Sequence, residues 1–373
     1  MLCLGIETSC DETSLALADS HRLLDQVTFS QVDIHSVFGG VVPEMASREH
    51  LNRLGPLYKS LMKRSGVRDR DIRAVAVTRG PGLLGCLLVG LGFAKGLVLG
   101  LGVPLVGVNH LHAHLMAPGL EKDISFPCLG LLVSGGHTSI YLIKSPFDFE
   151  QLGRTLDDAA GEAFDKAAKS LNIPYPGGVF IDLFAGFSTP DEKMFPRPYL
   201  DNPNLDFSFS GIKTAMVYHV RDHPGLVLKD KTCVDENFVP SPELAEVCAS
   251  FNWSIARTLK IKLKRALDRH PVKSIVLAGG VAANTMVRQA VEELAREHLL
   301  EAIIPEISLC TDNAAMVAWY GQMLINQGYC HGLDLEAIPR GKKIPWDYLD
   351  NRVQGAGSEA SKPGLKIFSS TRQ

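Results

Sequence analysis

Three histidines lie close together in Asn109-His110-Leu111-His112-Ala113-His114. On a helix, His110 and His114 stand one turn apart on the same face, with His112 turned away. Two imidazoles at that spacing reach a common metal ion, or they form a hydrogen-bonded surface pair. No glutamate follows His110, so this is not the His-Glu-x-x-His arrangement that supplies a base for peptide hydrolysis. A third ligand has to come from elsewhere. Asp312, in Cys310-Thr311-Asp312-Asn313, is a candidate, and its place before a helix suits it equally to capping that helix.

Other residues are suited to anions and to proton transfer. Ser134-Gly135-Gly136-His137 is a tight turn whose glycines leave backbone N–H groups open to an anion, or simply close a hairpin. Gly279-Gly280-Val281-Ala282-Ala283-Asn284 joins a strand to a helix, where amides favour phosphate or carboxylate, and Asn284 adds a side chain for a sugar or base. Asp165 sits among apolar neighbours in Ala160-Gly161-Glu162-Ala163-Phe164-Asp165-Lys166, placed to accept from ligand hydroxyls or to pair with a cation. Pro176-Gly177-Gly178 and Asp182 follow. The first turn, Thr8-Ser9-Cys10-Asp11-Glu12-Thr13-Ser14, carries acids and hydroxyls, with no glycine between Gly5 and Gly39. Asp11 and Glu12 there would repel phosphate, but could orient or deprotonate an attacking amine, or stand simply as solvated turn acids.

These residues need a scaffold with many strand ends. Alternating patterns predict strands over 2–7, 13–19 and 22–29, a helix over 44–64, a strand over 72–78, a helix over 84–101, a strand over 104–108 and a helix ending near Pro118. The order returns in strands 128–134, 138–144 and 149–154, helices 159–171 and 243–267, strand 274–278, helix 284–297, strand 302–304 and helix 312–326. One βββαβα unit used twice makes an α/β protein with a cleft beyond the strand ends, where open sheets bind ligands. Residues 1–124 and 125–330 are the two lobes. Proline density over 172–242 predicts an irregular insertion in the second lobe. Residues 331–373 form an extension whose polar tail, after about Pro345, is expected to lack fixed structure.

The 373 residues are 46% hydrophobic and 21% charged, with a net charge of −3. That composition excludes a disordered or fibrous chain and a protein that merely coats nucleic acid. Arg257, Lys260, Lys262, Lys264, Arg265, Arg269 and Lys273 crowd the end of one helix, where cations suit the helix dipole or face RNA. The eight scattered cysteines predict reduced thiols. No leader is expected before the first strand. Residues 83–105 are long enough to span a bilayer, but a central Lys95 would cost about 2.5–3.5 kcal/mol there. The glycine repeat Gly92, Gly96 and Gly100 instead predicts a closely packed helix buried in a soluble core.

Eight motifs occurring in order place a resemblance on about residues 1–330: 5–14, 109–114, 133–138, 157–166, 175–178, 207–213, 279–284 and 310–313. The chain resembles the bacterial TsaD family, threonylcarbamoyltransferases of tRNA adenosine related to the glycoprotease group. The resemblance implies the actin-like ASKHA fold, with its duplicated unit and interlobe cleft. It implies transfer of threonylcarbamoyl from threonylcarbamoyl-AMP to the N6 amine of adenosine 37 in tRNAs reading codons that start with A. It further implies that His110, His114 and Asp312 hold one divalent ion, iron or zinc, and that Leu132, Val133, Ser134, Gly135, Gly136, Asp165, Gly178, Asp182 and Asn284 bind the adenylate. Archaeal and eukaryotic relatives carry tyrosine where this chain has Leu132, which cannot ligate, so water or a donor oxygen takes that place. The implied partners are tRNA, a paralogous ASKHA subunit and a small ATPase, in the cytoplasm and away from membranes. Competing readings are an ASKHA ATPase or kinase, which the glycine-free first turn disfavours, a metalloprotease, and a non-catalytic scaffold for tRNA-modifying partners.

Overall fold

A computed structural model describes residues 1–235 and 237–350. The first half runs β1 (Cys3–Glu7), β2 (Glu12–Ala18), β3 (Leu23–Ser30), a short α1 (Val32–Ser36), α2 (Pro43–Ser65), β4 (Ala74–Gly80), α3 (Leu84–Leu101), β5 (Leu105–Asn109) and α4 (His110–Met116). The second runs β6 (Cys128–Val133), β7 (Thr138–Ser145), β8 (Asp148–Arg154), α5 (Ala160–Ser170), α6 (Gly177–Ala185), α7 (Ser210–Asp222), α8 (Pro242–Leu267), β9 (Ser274–Ala278), α9 (Thr285–Glu297), β10 (Glu301–Ile303), α10 (Ile307–Cys310) and α11 (Ala314–Asn326). A small pair, β11 (Tyr329–Cys330) and β12 (Leu349–Asp350), follows.

The two five-stranded sheets have the same internal order. It is β3-β2-β1-β4-β5 in one and β8-β7-β6-β9-β10 in the other. In each, a three-strand antiparallel meander continues into two parallel strands. That match in strand order is the duplication expected from the repeated pattern.

The helices do not stay with their own halves. α11 lies on the first sheet, against β1, β2 and β4, and α4 reaches β6 and β9 of the second. Two glycines make room for α11. A Cβ on Gly5 would stand 2.4 Å from the Ala314 carbonyl oxygen, and one on Gly321 would stand 2.2 Å from the Ala76 Cβ. α4 and α11 also pack on each other, which brings His110, His114 and Asp312, two residues ahead of α11, to one place.

Three expectations need correction. The insertion 172–242 is not irregular throughout, because it contains α6 and α7. Pro176 is the N-cap residue of α6 and Pro224 opens a 3₁₀ turn after α7, while Pro190, Pro196, Pro198 and Pro203 lie in the irregular stretch between the two helices. Proline is tolerated there because no backbone N–H is required. Second, the glycine repeat of α3 does not pack. Cys86, Leu87, Gly90, Leu91, Ala94 and Val98 are buried, while Leu84, Leu88 and Leu99 are exposed, and a Cβ on Gly92, Gly96 or Gly100 would meet nothing within 4 Å. The close approach is made by Gly90, whose Cβ would strike Thr8 Oγ1 at 2.3 Å. By length and hydropathy α3 is the one helix among the described residues that could cross a membrane. Third, the polar tail begins later than expected. Asp347 pairs with Arg79 and the Tyr348 hydroxyl donates to the Gly107 carbonyl at 3.2 Å, both in the first half, while β12 pairs with β11, and the rest of the expected tail lies outside the described residues. Cys3, Cys10, Cys86, Cys128, Cys233, Cys248 and Cys310 are free thiols, as their scatter predicts.

Candidate active site

The site starts at the end of β1. Glu7 is fully buried in a strand that is otherwise apolar. Its Oε1 accepts from the Ser9 amide at 2.5 Å, and its Oε2 from Thr78 Oγ1 at 2.6 Å and from His110 Nδ1 at 3.1 Å. Ser9 Oγ also lies 3.3 Å from that nitrogen. Glu7 thereby turns His110 so that Nε2 faces the cleft.

α4 begins at His110 because Asn109 caps it, its Oδ1 accepting from the amides of Leu111 and His112 at 2.9 and 3.5 Å. One turn on, His114 stands with its ring perpendicular to that of His110, centroids 4.6 Å apart. Asp312 arrives from α11. Its Oδ1 is 2.9 Å from His114 Nε2 and 3.4 Å from His110 Nε2. The helix-capping alternative for Asp312 fails, since the cap is its neighbour: Asn313 Oδ1 accepts from the Met316 amide at 2.9 Å. That frees the Asp312 carboxylate for the cleft.

One ligand atom from each of His110, His114 and Asp312 lies within 4.8 Å of the others, so the three could hold one metal ion. The chemistry fits. Two imidazole nitrogens and a carboxylate oxygen suit a borderline divalent ion with positions left open. The outer support of the group is half built, since His110 has Glu7 on its far nitrogen while His114 Nδ1 is buried with no partner among the described residues. The electrostatics favour positive charge here. Burial opposes ionisation of Asp312, but His110 and His114 hold its carboxyl well below the ordinary range. Burial likewise disfavours a charged His110, but Asp312 and Glu7 hold its pKa well above the usual value. His112, as expected, points elsewhere. It stacks on Phe149 at 3.9 Å, and burial pushes it down to about 3.

Asp11 and Glu12 lie in the turn between β1 and β2. That turn is held from behind by His50, which bonds Thr13 Oγ1 at 2.8 Å and the Cys10 carbonyl at 2.9 Å. Burial, then the charges of Asp11 and Asp312, raise the Glu12 carboxyl well above its ordinary value. A carboxyl tuned upward is closer to the pKa that a general base needs near neutrality.

The opposite wall belongs to the second half. Leu132 and Val133 are fully buried in β6. They lead into the Ser134–His137 turn, closed by the Ser134 amide on the His137 carbonyl at 2.7 Å. The start of α5 presses on this turn: a Cβ on Gly161 would be 2.7 Å from the Gly135 Cα. Gly279 does the same from the β9 side, at φ +91° with its Cβ direction 2.5 Å from the Val133 carbonyl oxygen. Gly135 has nothing within 4 Å of its missing side chain, so the face of the turn is open.

Asp165 makes no ion pair among the described residues. Its Oδ1 accepts from the Gly177 amide at 2.9 Å and its carboxyl also meets the Gly178 amide, and burial pushes it up to about 6. Lys166 goes instead to Asp158 and Glu162. Asp182 Oδ2 accepts from the Thr285 amide and hydroxyl at 3.0 and 2.9 Å. Asn284 caps α9 through the Val287 amide at 3.0 Å. Asn252 of α8 links the two, donating to Asp182 Oδ1 at 2.8 Å and accepting from Asn284 Nδ2 at 2.9 Å. The walls face each other, since the charges of Asp11 and Asp165 both act on Tyr175, which burial and those charges push upward.

The 207–213 motif is an anchor. Ser208 and Ser210 hydroxyls and the Phe209 amide donate to Asp157, at 2.5, 2.8 and 2.8 Å, and Lys213 donates to Asp158 at 2.6 Å. It fixes the loop before α5. Sequence reading missed Glu7, Asn252 and Arg340, which donates to the Gly136 carbonyl at 2.6 Å. Glu7 had a signal, as a charged residue closing a buried strand. The other two had none, being brought in by tertiary structure.

Most of the cations at the end of α8, which suit the helix dipole and offered an RNA face as the alternative, are taken up internally. Lys260 pairs with Glu293 and Glu297, and Lys264 with Asp268. Lys262 donates to Asn202 and Asn204, and Arg265 and Arg269 donate to carbonyls of 200–203.

A duplicated α/β unit with a charged cleft between its halves defines an ASKHA-class protein. Solved structures agree on the fold: HypF from T. kodakarensis superposes with a TM-score of 0.53 at 14% identity over 87% of this chain and 48% of its own, and the activator of 2-hydroxyisocaproyl-CoA dehydratase from Clostridium difficile with 0.52 at 15% over 87% and 96%. Within that class, a profile of TsaD, tRNA N6-adenosine threonylcarbamoyltransferase, matches residues 22–319. Proteins of that name from Nitratidesulfovibrio vulgaris (strain DP4) and Solidesulfovibrio magneticus are 58% and 55% identical, each over 93% of this chain and over 98% and 95% of their own lengths. The chain belongs to the TsaD family.

Proposed function

We propose that this protein transfers the threonylcarbamoyl group of threonylcarbamoyl-AMP to the N6 amine of adenosine 37 in tRNAs reading ANN codons. The observation that supports this reading is the meeting of one ligand atom each from His110, His114 and Asp312 within 4.8 Å, with the charges of His110 and Asp312 acting on His137 of the open Ser134–His137 turn. The donor is a mixed anhydride and is already activated. The amides of Gly135 and Gly136 are placed to donate to its phosphate, and Asp165, Asp182 and Asn284 to hold its nucleoside. Adenine N6 attacks the carbamoyl carbon, the bond from that carbon to the phosphate oxygen breaks, and AMP leaves. Glu12, with Asp11 beside it, takes the proton released by N6. Because N6 is a poor nucleophile, alignment in the cleft matters most.

His110, His114 and Asp312 would hold iron or zinc, both suited by imidazole and carboxylate. Such an ion, when bound, supplies Lewis acidity to the leaving phosphate. Residues 1–124 and 125–330 are read as the two lobes and 331–373 as an extension. The partners are tRNA, a small ATPase and a paralogous ASKHA subunit, in the cytoplasm without a membrane. The exposed Leu51, Leu88 and Leu99 beside the bare Gly92 and Gly96 support a helical protein partner. A kinase or ATPase reading is disfavoured by the buried acids where phosphates would lie, and a scaffold by the completeness of the ligand set.

The test is reconstitution. The protein is incubated with candidate partners, threonine, bicarbonate, ATP and tRNA, and digested tRNA is searched for the modified nucleoside. Modified nucleoside that disappears with His110→Ala supports the reading, and unmodified tRNA in every combination contradicts it.

A further inference from the structure

An RNA loop that delivers a base into this cleft brings its phosphates to the rim. The cleft interior repels them, being lined by Glu7, Asp11, Glu12, Asp165 and Asp312, and the net charge of −3 supplies no general attraction. Lys260, Lys262, Lys264 and Arg265 of α8, and Arg269 just after it, are engaged within the fold, which leaves the exposed Arg257 as the cation of that helix without an ion pair among the described residues. Fixed cations at the mouth are needed for RNA to approach.

Arg340-Gly341-Lys342-Lys343 supplies them. All four residues are exposed. Among the described residues, none of the three side chains makes an ion pair, unlike the paired lysines Lys122, Lys144, Lys166 and Lys260. The run is held in place by its backbone. Ile338 N–H donates to the Arg79 carbonyl at 2.7 Å, Arg340 N–H to the Gly82 carbonyl at 3.1 Å and Lys342 N–H to the Pro339 carbonyl at 3.2 Å. Leu335 is buried in the first half's core, and Asp347 pairs with the buried Arg79 at 2.5 Å. Arg340 Nη2 then crosses to the Gly136 carbonyl at 2.6 Å. The segment thus bridges the β4–α3 loop of one half and the glycine turn of the other, at the mouth of the cleft. Unpaired cations on an immobilised backbone bind phosphate with little ordering cost.

We propose that Arg340, Lys342 and Lys343 form a basic lip that holds phosphates of the tRNA strand flanking the adenosine to be modified. This rests on the tRNA reading above. It assigns Arg340 to orientation at the glycine turn and the two lysines to strand contact.

The experiment measures binding of an anticodon stem-loop to the protein with its partners over a range of salt, alongside the transfer assay. Lys342→Ala with Lys343→Ala, which removes no internal side-chain bond, is expected to weaken RNA binding about tenfold and to flatten the slope of log K against log salt by about 0.7 per lost phosphate. Arg340→Ala is expected to do the same, with Arg340→Lys restoring part of the binding. KM for the donor should stay unchanged in the lysine pair. Lys122→Ala, paired and remote from the lip, is the control for charge alone. Unchanged binding and slope in the lysine pair overturn the proposal, as does a rise in donor KM without a change in RNA binding, which would assign the lip to the donor phosphate. Wild-type protein that binds the stem-loop through these residues but leaves it unmodified would refute the transferase reading and spare the lip.

Discussion

The β1–β2 and β6–β7 turns occupy the same place in the duplicated unit, and they have become opposites. The first, between the paired residues Glu7 and Ser14, is packed with buried polar groups: Thr8, Ser9, Asp11 and Thr13 are all nearly inaccessible. The second, between Val133 and Thr138, is shorter and open, with Gly135 exposed. One backbone frame therefore serves two tasks. On the proposed reading, the first turn sets carboxylates beside a candidate cation site and supplies a proton acceptor, and the second leaves its amides open for an anion. The fold fixes where the turns meet, and side-chain chemistry decides what each one binds.

The largest effects should come from the first turn's side of the cleft. His110→Ala, His114→Ala or Asp312→Ala each removes a ligand atom and should lower turnover roughly 100-fold or more, with metal content falling in parallel by elemental analysis. Glu7→Gln keeps the volume but loses the charge behind His110. Metal affinity, read by chelator competition, should fall about tenfold while the folded state survives.

The glycines sharpen the contrast. Gly135→Ala points its methyl into open space, so thermal stability should hold while donor KM rises about tenfold. Gly279→Ala meets the Val133 carbonyl at a positive φ, and should destabilise the fold by about 1–3 kcal/mol, visible as a lowered Tm. The same substitution thus reports ligand space at one turn and backbone packing at the other.

Asp165 gives a pH signature. Its carboxyl, pushed up to about 6 by burial, is a stronger acceptor for hydroxyls when ionised, so donor KM should climb as pH falls through 6. Its folded value lies above the ordinary 3.8. The stability it contributes is therefore full below about pH 4 and lost as pH rises through 6. Asp165→Asn should flatten both profiles. The smallest effect is expected at Asn109→Ala, where loss of the α4 cap costs about 1 kcal/mol.

Local pattern revealed most of the scaffold. The ends of α3 and β9 agree with the expected boundaries because Gly-Pro and Pro104 bracket one, and a run of Ile, Val and Leu forms the other. What it concealed had tertiary causes. α6 and α7 hid behind prolines that mark helix ends. The glycine repeat in α3 suggested close packing, but Gly90, outside the repeat, makes the contact. Asp312 and Asn313 are adjacent candidates for one cap, and only the structure shows which one takes it. The shared face of His110 and His114 was legible from spacing, which left a metal pair and a hydrogen-bonded surface pair as alternatives. Glu7 stood in plain view as a charge ending an apolar strand, whereas Asn252 and Arg340 join the site from 32 and more residues away and carry no local mark.

The most direct test is metal analysis with X-ray absorption at the metal edge, on protein prepared with its partners and loaded with iron or zinc. The account predicts one ion per chain with two imidazole nitrogens and a carboxylate oxygen, lost when Asp312 becomes alanine. An ion whose ligand shell is unchanged by Asp312→Ala and His110→Ala, or no stoichiometric ion under any loading, would contradict it.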